Sequence, residues 1–194
     1  MEGDSVLLPT NVSQILENDS IVWTFGAENS VIAKLKRKKQ MLDFPDGRFR
    51  DRLKLNTQTG SLTITNTRTE HAGLYKLEIR LEKVIFKTFN ISVYARLPVP
   101  VITSTSSTCS SSSQPNCSLL CSVVNVRDVS LSWYKGNSLL SSISVSDLSI
   151  SLSLPLEVEY QDKNTYSCVI NNPISNQTTH LDINKLCHTC SGVF

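Results

Sequence analysis

The sequence of 194 residues lacks a long apolar run, a secretory leader and any cysteine in its first half. No apolar stretch approaches the roughly 18 residues that a membrane-spanning helix needs, and no charged-then-apolar leader begins the chain. The first cysteine is Cys109. Residues 1–96 must therefore hold together by packing alone, without the stabilisation of about 2–4 kcal/mol that a native disulfide adds.

Signatures of catalysis and of cofactor binding are missing as well. No Gly-rich phosphate loop occurs, and the three histidines do not fall in a metal-ligand spacing such as H-E-x-x-H. No nucleophile, base and acid form a recognisable pattern. The formal net charge of +2 does not call for a nucleic-acid partner. We expect no enzyme activity, no cofactor, no metal and no small-molecule substrate.

What the chain does contain is a turn pattern that occurs twice. Glu70–Leu77 holds an acidic residue, a small pair and Tyr75, and runs straight into an alternating segment. Asp162–Cys168 repeats the pattern around Tyr166. This is typical of the corner between strands E and F of an immunoglobulin domain, where the tyrosine hydroxyl bonds back onto the turn.

Each corner has a tryptophan well upstream, Trp23 and Trp133, at the place where strand C carries a buried indole. The fold class is therefore all-β, with two tandem immunoglobulin-like sandwiches. Residues 1–96 predict a variable-type domain of nine strands that lacks the disulfide between strands B and F. Residues 97–194 predict a constant-type (C2) domain, since the interval between strands C and E is too short for strand C″. The junction is Leu97-Pro98-Val99-Pro100, which favours an extended link.

The charged surface is concentrated in the first domain. Residues 1–96 hold 15 Lys and Arg against 11 Asp and Glu, a net charge of +4, whereas residues 97–194 hold 4 against 6, a net charge of −2. A basic run extends from Lys34 to Lys39. It is compatible with a heparin or nucleic-acid patch, but we favour the simpler interpretation of an exposed strand edge on the binding face of a variable-type domain.

All six cysteines lie in the second domain. Cys121 precedes Trp133 by twelve residues and Cys168 follows Tyr166 by two, which predicts the inter-sheet disulfide. Cys117 faces the same side of its strand as Cys121, and we favour the pairs Cys117–Cys187 and Cys109–Cys190, with the swapped pairing as the alternative. The Cys187-His188-Thr189-Cys190 segment has the spacing of a zinc or redox motif, but structural disulfides are favoured.

Five N-x-S/T sequons accompany these cysteines, at Asn11, Asn18, Asn90, Asn116 and Asn176. Their density predicts an extracellular glycoprotein at the cell surface. We expect an ectodomain whose membrane anchor lies beyond Phe194. Residues 104–113 are rich in Ser and Thr; a solvated loop is favoured there over an O-glycosylated stalk.

A combination of these features resembles one family. Gly3-Asp4-Ser5-Val6 opens a first domain without a B–F disulfide, and Arg52–Leu55 and Thr59–Leu62 follow. With the Pro-x-Pro junction and an extra bridge in the second domain, the chain resembles the ectodomains of the signalling lymphocyte activation molecule (SLAM) family and the lymphocyte function-associated antigens. It is most similar to the lipid-anchored ligand members.

This resemblance implies adhesion and co-stimulation through the exposed face of strands G, F, C, C′ and C″, with an immunoglobulin-type protein of the same family on an opposing cell as partner. Whether binding is homophilic or heterophilic stays open, and we hypothesise an acidic partner face. The side chains predicted to bind are Thr24 on C, Lys34 and Lys36 on C′, Lys76, Glu78 and Arg80 on F, and Thr88 on G.

One position departs from the family pattern. The resemblance implies an acidic residue four positions before the corner tyrosine that bridges to the strand D arginine, but the chain has His71 there, beside Glu70. Two alternative functions are retained: a variable-type recognition or inhibitory receptor for an unrelated ligand, and a soluble or viral decoy of this fold.

Overall fold

A computed structural model describes residues 1–105, 116–159 and 162–187 of the chain. The chain divides into two compact units, Met1–Arg96 and Leu97–Phe194. Each unit consists of two antiparallel sheets packed on a hydrophobic core. The predicted all-β fold of two immunoglobulin-like sandwiches is confirmed.

The first domain is built from two sheets with the strand orders β1-β6-β5 and β4-β3-β2-β7-β8. In immunoglobulin nomenclature these strands are B to G, with C′ and C″ between C and D. They are β1 (Val6–Leu8), β2 (Ser20–Phe25), β3 (Ser30–Lys36), β4 (Met41–Asp43), β5 (Leu53–Leu55), β6 (Leu62–Ile64), β7 (Gly73–Arg80) and β8 (Val84–Ile91).

The prediction of nine strands in this domain was wrong, because no strand A forms among residues 1–96, all of which are described. The N-terminal segment makes isolated hydrogen bonds instead of a ladder. The Glu2 amide donates to the Tyr94 carbonyl at 2.9 Å and the Gly3 amide donates to the Thr67 carbonyl at 2.8 Å. Gly3 has a positive φ of 85°, which breaks the extended conformation that a strand requires.

The core of the first domain contains no disulfide. Leu8 on β1 and Leu77 on β7 occupy the places of the two cysteines, and both side chains are at most 1% exposed. Trp23 is fully buried and its Nε1–H donates to the Gly60 carbonyl at 3.0 Å. Gly60 has φ +74°, and a Cβ there would lie 1.9 Å from Cδ1 of Ile21. Only glycine therefore fits the turn under the indole.

The second domain pairs a sheet of order β13-β10-β9 with one of order β12-β11-β14-β15. Trp133 is fully buried and donates from Nε1 to the Leu154 carbonyl at 2.9 Å, as Trp23 does to Gly60 in the first domain. The strands are β9 (Val101–Ser104), β10 (Asn116–Val126), β11 (Val129–Lys135), β12 (Ser138–Val145), β13 (Ser149–Glu159), β14 (Tyr166–Asn172) and β15 (Ser175–His180).

For the end of this domain, the sequence alone predicts strand G from Thr178 to Ile183, and the structure differs. The strand ends at His180, and a single helical turn, α1 (Ile183–Leu186), follows. The Cys187 amide donates to the Ile183 carbonyl at 2.8 Å, and Cys187 is bonded to Cys117. The turn therefore reverses the chain so that this cysteine can reach β10. No helix in the described ranges is long and apolar enough to cross a lipid bilayer.

Candidate functional site: the outer face of the five-stranded sheet

The five-stranded sheet of the first domain has one face on the core and one face toward solvent. Strict alternation sets the two faces, since successive side chains of a strand point to opposite sides. On β2, Ile21, Trp23 and Phe25 are buried, whereas Val22 and Thr24 are partly exposed. We call the solvent side of β4, β3, β2, β7 and β8 the outer face.

All seven side chains predicted from the sequence to bind a partner lie on the outer face. Cross-strand pairing arranges them in rows. Listed across the sheet, the rows are Thr24–Lys76–Thr88, then Lys34–Val22–Glu78–Phe86, then Lys36–Ser20–Arg80–Val84. The sheet thus brings together residues that are up to 64 positions apart in the chain, Thr24 and Thr88.

Charges on the outer face are partly paired. Arg80 Nε donates to Glu78 Oε1 at 2.5 Å, and Lys76 Nζ donates to Asn29 Oδ1 at 2.7 Å. Within the described part of the chain, Lys34 and Lys36 make no ion pair. The face is therefore mixed in charge, and the positive charges of Lys34, Lys36 and Lys76 are not neutralised by an ion pair among the described residues.

An apolar feature of this face was missed by the sequence analysis. Phe86, on β8, is 71% exposed, and Val84, two residues earlier on the same side, is 51% exposed. The alternation that placed Thr88 outward also predicts Phe86 outward, so the signal was present in the sequence. A large exposed aromatic side chain in the middle of a strand marks an interaction site more specifically than scattered lysines do.

One of the five sequons also lies on the outer face. Asn90 is exposed on β8, opposite Leu74, two residues beyond Thr88. Asn116 and Asn176 are exposed on strands β10 and β15 of the second domain, and Asn11 and Asn18 are exposed in the segment between β1 and β2. Occupancy of these sites by glycans stays a prediction.

The corner of the first domain is built around a buried histidine. The Tyr75 hydroxyl donates to the His71 carbonyl at 2.5 Å, and burial raises the pKa of Tyr75. His71 is 1% exposed and its ring stacks on Phe49, with centroids 5.0 Å apart. Nδ1 accepts from the Arg68 amide at 2.9 Å, and Nε2 lies 3.3 Å from the Arg48 carbonyl, to which it donates.

This histidine replaces the salt bridge that the family resemblance implies. Glu70 lies near Arg68 and His71, at 3.8 and 3.6 Å, and makes no ion pair with Arg52 among the described residues. Arg52 instead donates from Nη1 to the Asn66 carbonyl at 2.5 Å. Burial is the largest influence on His71 and lowers its pKa. The corner is therefore held by a neutral imidazole instead of an ion pair.

The described disulfides are both in the second domain and have the pairings that the sequence analysis favoured. Cys121 on β10 bonds to Cys168 on β14, and Cys117 bonds to Cys187. The predicted Cys109–Cys190 pair, and most of the Ser-rich segment, lie outside the described residues. Within the described ranges, no group of three or more His, Cys, Asp or Glu side chains could hold a metal ion.

Comparisons with known proteins define the class first. Residues 1–94 match the immunoglobulin V-set domain family, so the first domain is a variable-type immunoglobulin domain. The chain is 28% identical over 195 residues to SLAM family member 5 of Mus musculus, covering 95% of this chain and 54% of that protein. It is 26% identical over 181 residues to the T-lymphocyte surface antigen Ly-9 of Homo sapiens, covering 91% and 27%.

The resemblance of this chain to the SLAM family is thereby confirmed. The chain spans about half the length of SLAM family member 5 and about a quarter of Ly-9. Among solved structures, the CD2-binding domain of CD58 (lymphocyte function-associated antigen 3) superposes with a TM-score of 0.64 at 19% identity, covering 98% of this chain and 95% of that one. This likeness shows the shared fold.

These relatives are immune receptors and adhesion molecules of immunoglobulin type, so the expectation that the chain is not an enzyme is confirmed. The similarity to SLAM family member 5 and Ly-9 supports the class of immune cell-surface immunoglobulin receptor or ligand for this chain. Its likeness to the lipid-anchored members in particular, and the function assigned to each domain, stay predictions.

Proposed function

We propose that the protein is an adhesion or co-stimulatory molecule whose first domain binds an immunoglobulin-type domain of the same family on an opposing cell. The outer face is the binding surface. The observation that carries this proposal is the exposed apolar pair Phe86 and Val84 on β8, on the same sheet face as Lys34, Lys36 and Arg80. Protein–protein interfaces usually combine an apolar core with a charged rim; here the apolar pair lies on the edge strand β8, and the charged side chains lie on the neighbouring strands of the same face.

The charges on the rim suggest how binding works. Charge complementarity raises the association rate and the specificity more than the affinity, and weak single contacts are multiplied when many molecules meet at a cell junction. Because the cations outnumber the acids on this face, we propose a heterophilic partner with an acidic face. The second domain, with its two described disulfides, serves as the membrane-proximal stalk in this proposal.

The experiment uses multimers of the 194-residue ectodomain and lymphocytes of the same species. Lys34→Glu with Arg80→Glu should abolish cell binding, because an acidic partner face would then be repelled. Lys54→Glu with Lys163→Glu, two exposed sites away from the outer face, is the matched control and should bind normally. Binding that survives the reversal at Lys34 and Arg80 contradicts the proposed face.

Sedimentation of the ectodomain over a wide concentration range, in low and moderate salt, then tests the type of partner. A monomer throughout agrees with a heterophilic partner. Reversible dimers that weaken with salt would contradict it and favour a self-ligand, with Lys76, Glu78 and Arg80 meeting their copies across a two-fold axis.

Phe86 provides a separate test of the same surface. A central aromatic side chain that becomes fully desolvated at an interface typically contributes about 2 kcal/mol or more when truncated, which corresponds to a roughly 30-fold loss of affinity. We expect Phe86→Ser to reduce cell binding by at least about tenfold. Because the Phe86 side chain is 71% exposed, folding should be unchanged, and the mutant should unfold at the same temperature as the wild type.

A further inference from the structure

A group of lysines at one end of the five-stranded sheet has no role in the sandwich core. The side chains from Lys34 to Lys39 have different environments. Leu35 is buried, and Arg37 donates from Nη1 to the Thr57 carbonyl at 2.9 Å. Lys38 and Lys39 are exposed in a 3-10 turn without an acidic residue, and Lys36 precedes that turn on the outer face. Arg37 therefore stabilises the fold through a hydrogen bond, whereas the side chains of Lys36, Lys38 and Lys39 face solvent.

The fold adds a further cation to this end of the sheet. β2 begins at Ser20, which pairs with Lys36 on one side and Arg80 on the other, and Arg80 pairs with Val84. Lys83, in the turn before Val84, is exposed. Since neighbouring strands are about 4.8 Å apart, the backbone positions of β3 and β8 span about 15 Å here. We call Lys36, Lys38, Lys39 and Lys83 the basic end.

The charge of the basic end is poorly compensated. Glu78 is held by Arg80 at 2.5 Å, and Asp43 lies opposite Lys34. None of the four lysines of the basic end makes an ion pair within the described residues. Four like charges at one sheet end repel one another, so an anion that spans them gains from all four at once.

We propose that the basic end binds linear sulfated polysaccharides of the glycosaminoglycan type. The cations of the site are lysines, which act as point charges and suit a repeating polyanion better than a small ligand that needs several donors in a fixed arrangement. The relatives are cell-surface proteins, and sulfated polysaccharide is the repeating polyanion expected in that setting. The inference does not depend on the proposed protein partner, but the two surfaces share Lys36.

The test measures the affinity of the whole 194-residue chain for immobilised heparin at several salt concentrations. Replacing all four lysines of the basic end by Gln should abolish binding at about 0.15 M NaCl. It should also reduce the slope of log affinity against log salt by roughly three, as for four released counterions. The matched control replaces four exposed cations elsewhere and removes the same charge, namely Lys54, Arg127, Lys163 and Lys185.

The outcomes distinguish a specific heparin-binding site from a general electrostatic attraction. Normal heparin binding by the control, with loss in the basic-end variant, supports the proposal. Equal loss in both variants would show that only net charge acts, and absence of heparin binding by the wild type would also overturn it. A single-stranded oligonucleotide of equal charge is the competitor: equal or tighter binding of the oligonucleotide contradicts the assignment to sulfated polysaccharide.

Discussion

The two domains solve the same folding problem with different chemistry. Each buries one tryptophan whose Nε1–H donates to a backbone carbonyl, of Gly60 in the first domain and Leu154 in the second. Each closes the corner before strand F with a tyrosine hydroxyl, of Tyr75 or Tyr166. The shared parts are those that the sandwich geometry demands.

The differences lie in how the sheets are tied together. The second domain has disulfides Cys121–Cys168 and Cys117–Cys187. The first domain has no disulfide, and Leu8 and Leu77 occupy the two core positions where the cysteines of such a bridge would lie. This comparison indicates that the proposed ligand-binding domain depends on apolar packing and turn geometry, whereas the second domain has covalent support. Each prediction below alters one domain while the other serves as the internal control, read by hydrogen exchange of peptides from each domain.

The largest expected effect is on the second domain. Replacing Cys121 and Cys168 together by Ala removes a bridge across 47 residues, and loss of a native disulfide typically costs about 2–5 kcal/mol. Exchange should become faster throughout β10, β11 and β14. Protection in residues 1–96 should stay at the wild-type level, because no disulfide contributes there. Equal loss of protection in the first domain would contradict the independence of the two cores.

The corresponding weak point of the first domain is Gly60. In Gly60→Ala, the new Cβ would clash with Ile21, at 1.9 Å, and the residue would have to keep a positive φ of 74°. Overpacking and an unfavourable backbone conformation together should cost about 3 kcal/mol. The first domain should lose protection while the second is unchanged. Gly47→Ala is the control, since nothing lies within 4 Å of a Cβ at that site.

The corners differ in their response to acid. His71 is neutral, because Nδ1 accepts from the Arg68 amide, and burial lowers its pKa below the ordinary value of 6.5. The charged groups around it are Arg52 and Arg68, which disfavour a further positive charge, and Glu70, which favours protonation; the hydrogen bond to the Arg48 carbonyl also favours the charged ring. Asp46 is held by Arg48 at 2.6 Å and is not in contact with the ring.

The sign of the effect follows from proton counting. Below pH 6.5 the unfolded chain protonates this histidine while the folded domain resists protonation. The unfolded state therefore binds more protons, and stability decreases as the pH is lowered. One such group gives a slope of at most about 1.4 kcal/mol per pH unit. The first domain should therefore lose stability between pH 6.5 and 5, and His71→Asn, whose Oδ1 can still accept from Arg68, should remove this dependence. His180→Asn, at an exposed site, should leave it intact.

These corners also show what the sequence could and could not predict. Tyr75, Tyr166 and the two tryptophans fixed the fold class, because sandwich geometry requires them at set spacings. Alternation on β2 and β7 predicted which side chains lie on the outer face. The partners of Glu70 and Arg52 were not predictable, because they depend on where a 3-10 turn (Thr69–His71) places each side chain. The prediction of strand A was wrong for a similar reason. The N-terminal segment makes isolated hydrogen bonds, and these leave no periodic pattern in the sequence.

The smallest effect is expected at Asp162, which occupies in the second domain the place that His71 has in the first. Its Oδ2 accepts from the Tyr166 hydroxyl at 2.6 Å and lies 3.1 Å from Lys135 Nζ. The hydrogen bond from Tyr166, the Asn164 amide and Lys135 together hold the pKa of Asp162 far below its ordinary value of 3.8. Because this pKa is depressed on folding, the stabilisation is present above the unfolded value and is lost only as pH falls below it.

The stability that this corner gives to the second domain should therefore stay constant between pH 6.5 and 5, the range in which the first domain loses stability. Asp162→Asn keeps a side-chain acceptor for the Tyr166 hydroxyl but removes the charge. We expect a small, salt-sensitive loss of stability at pH 7, because an exposed ion pair contributes little, and a loss that becomes smaller as the pH is lowered from 4 toward 2, measured by the unfolding temperature of the second domain. A difference that is as large at pH 2 as at pH 7 would mean that Asp162 acts through its shape and hydrogen bonds. The contrast with His71 would then be one of packing instead of charge.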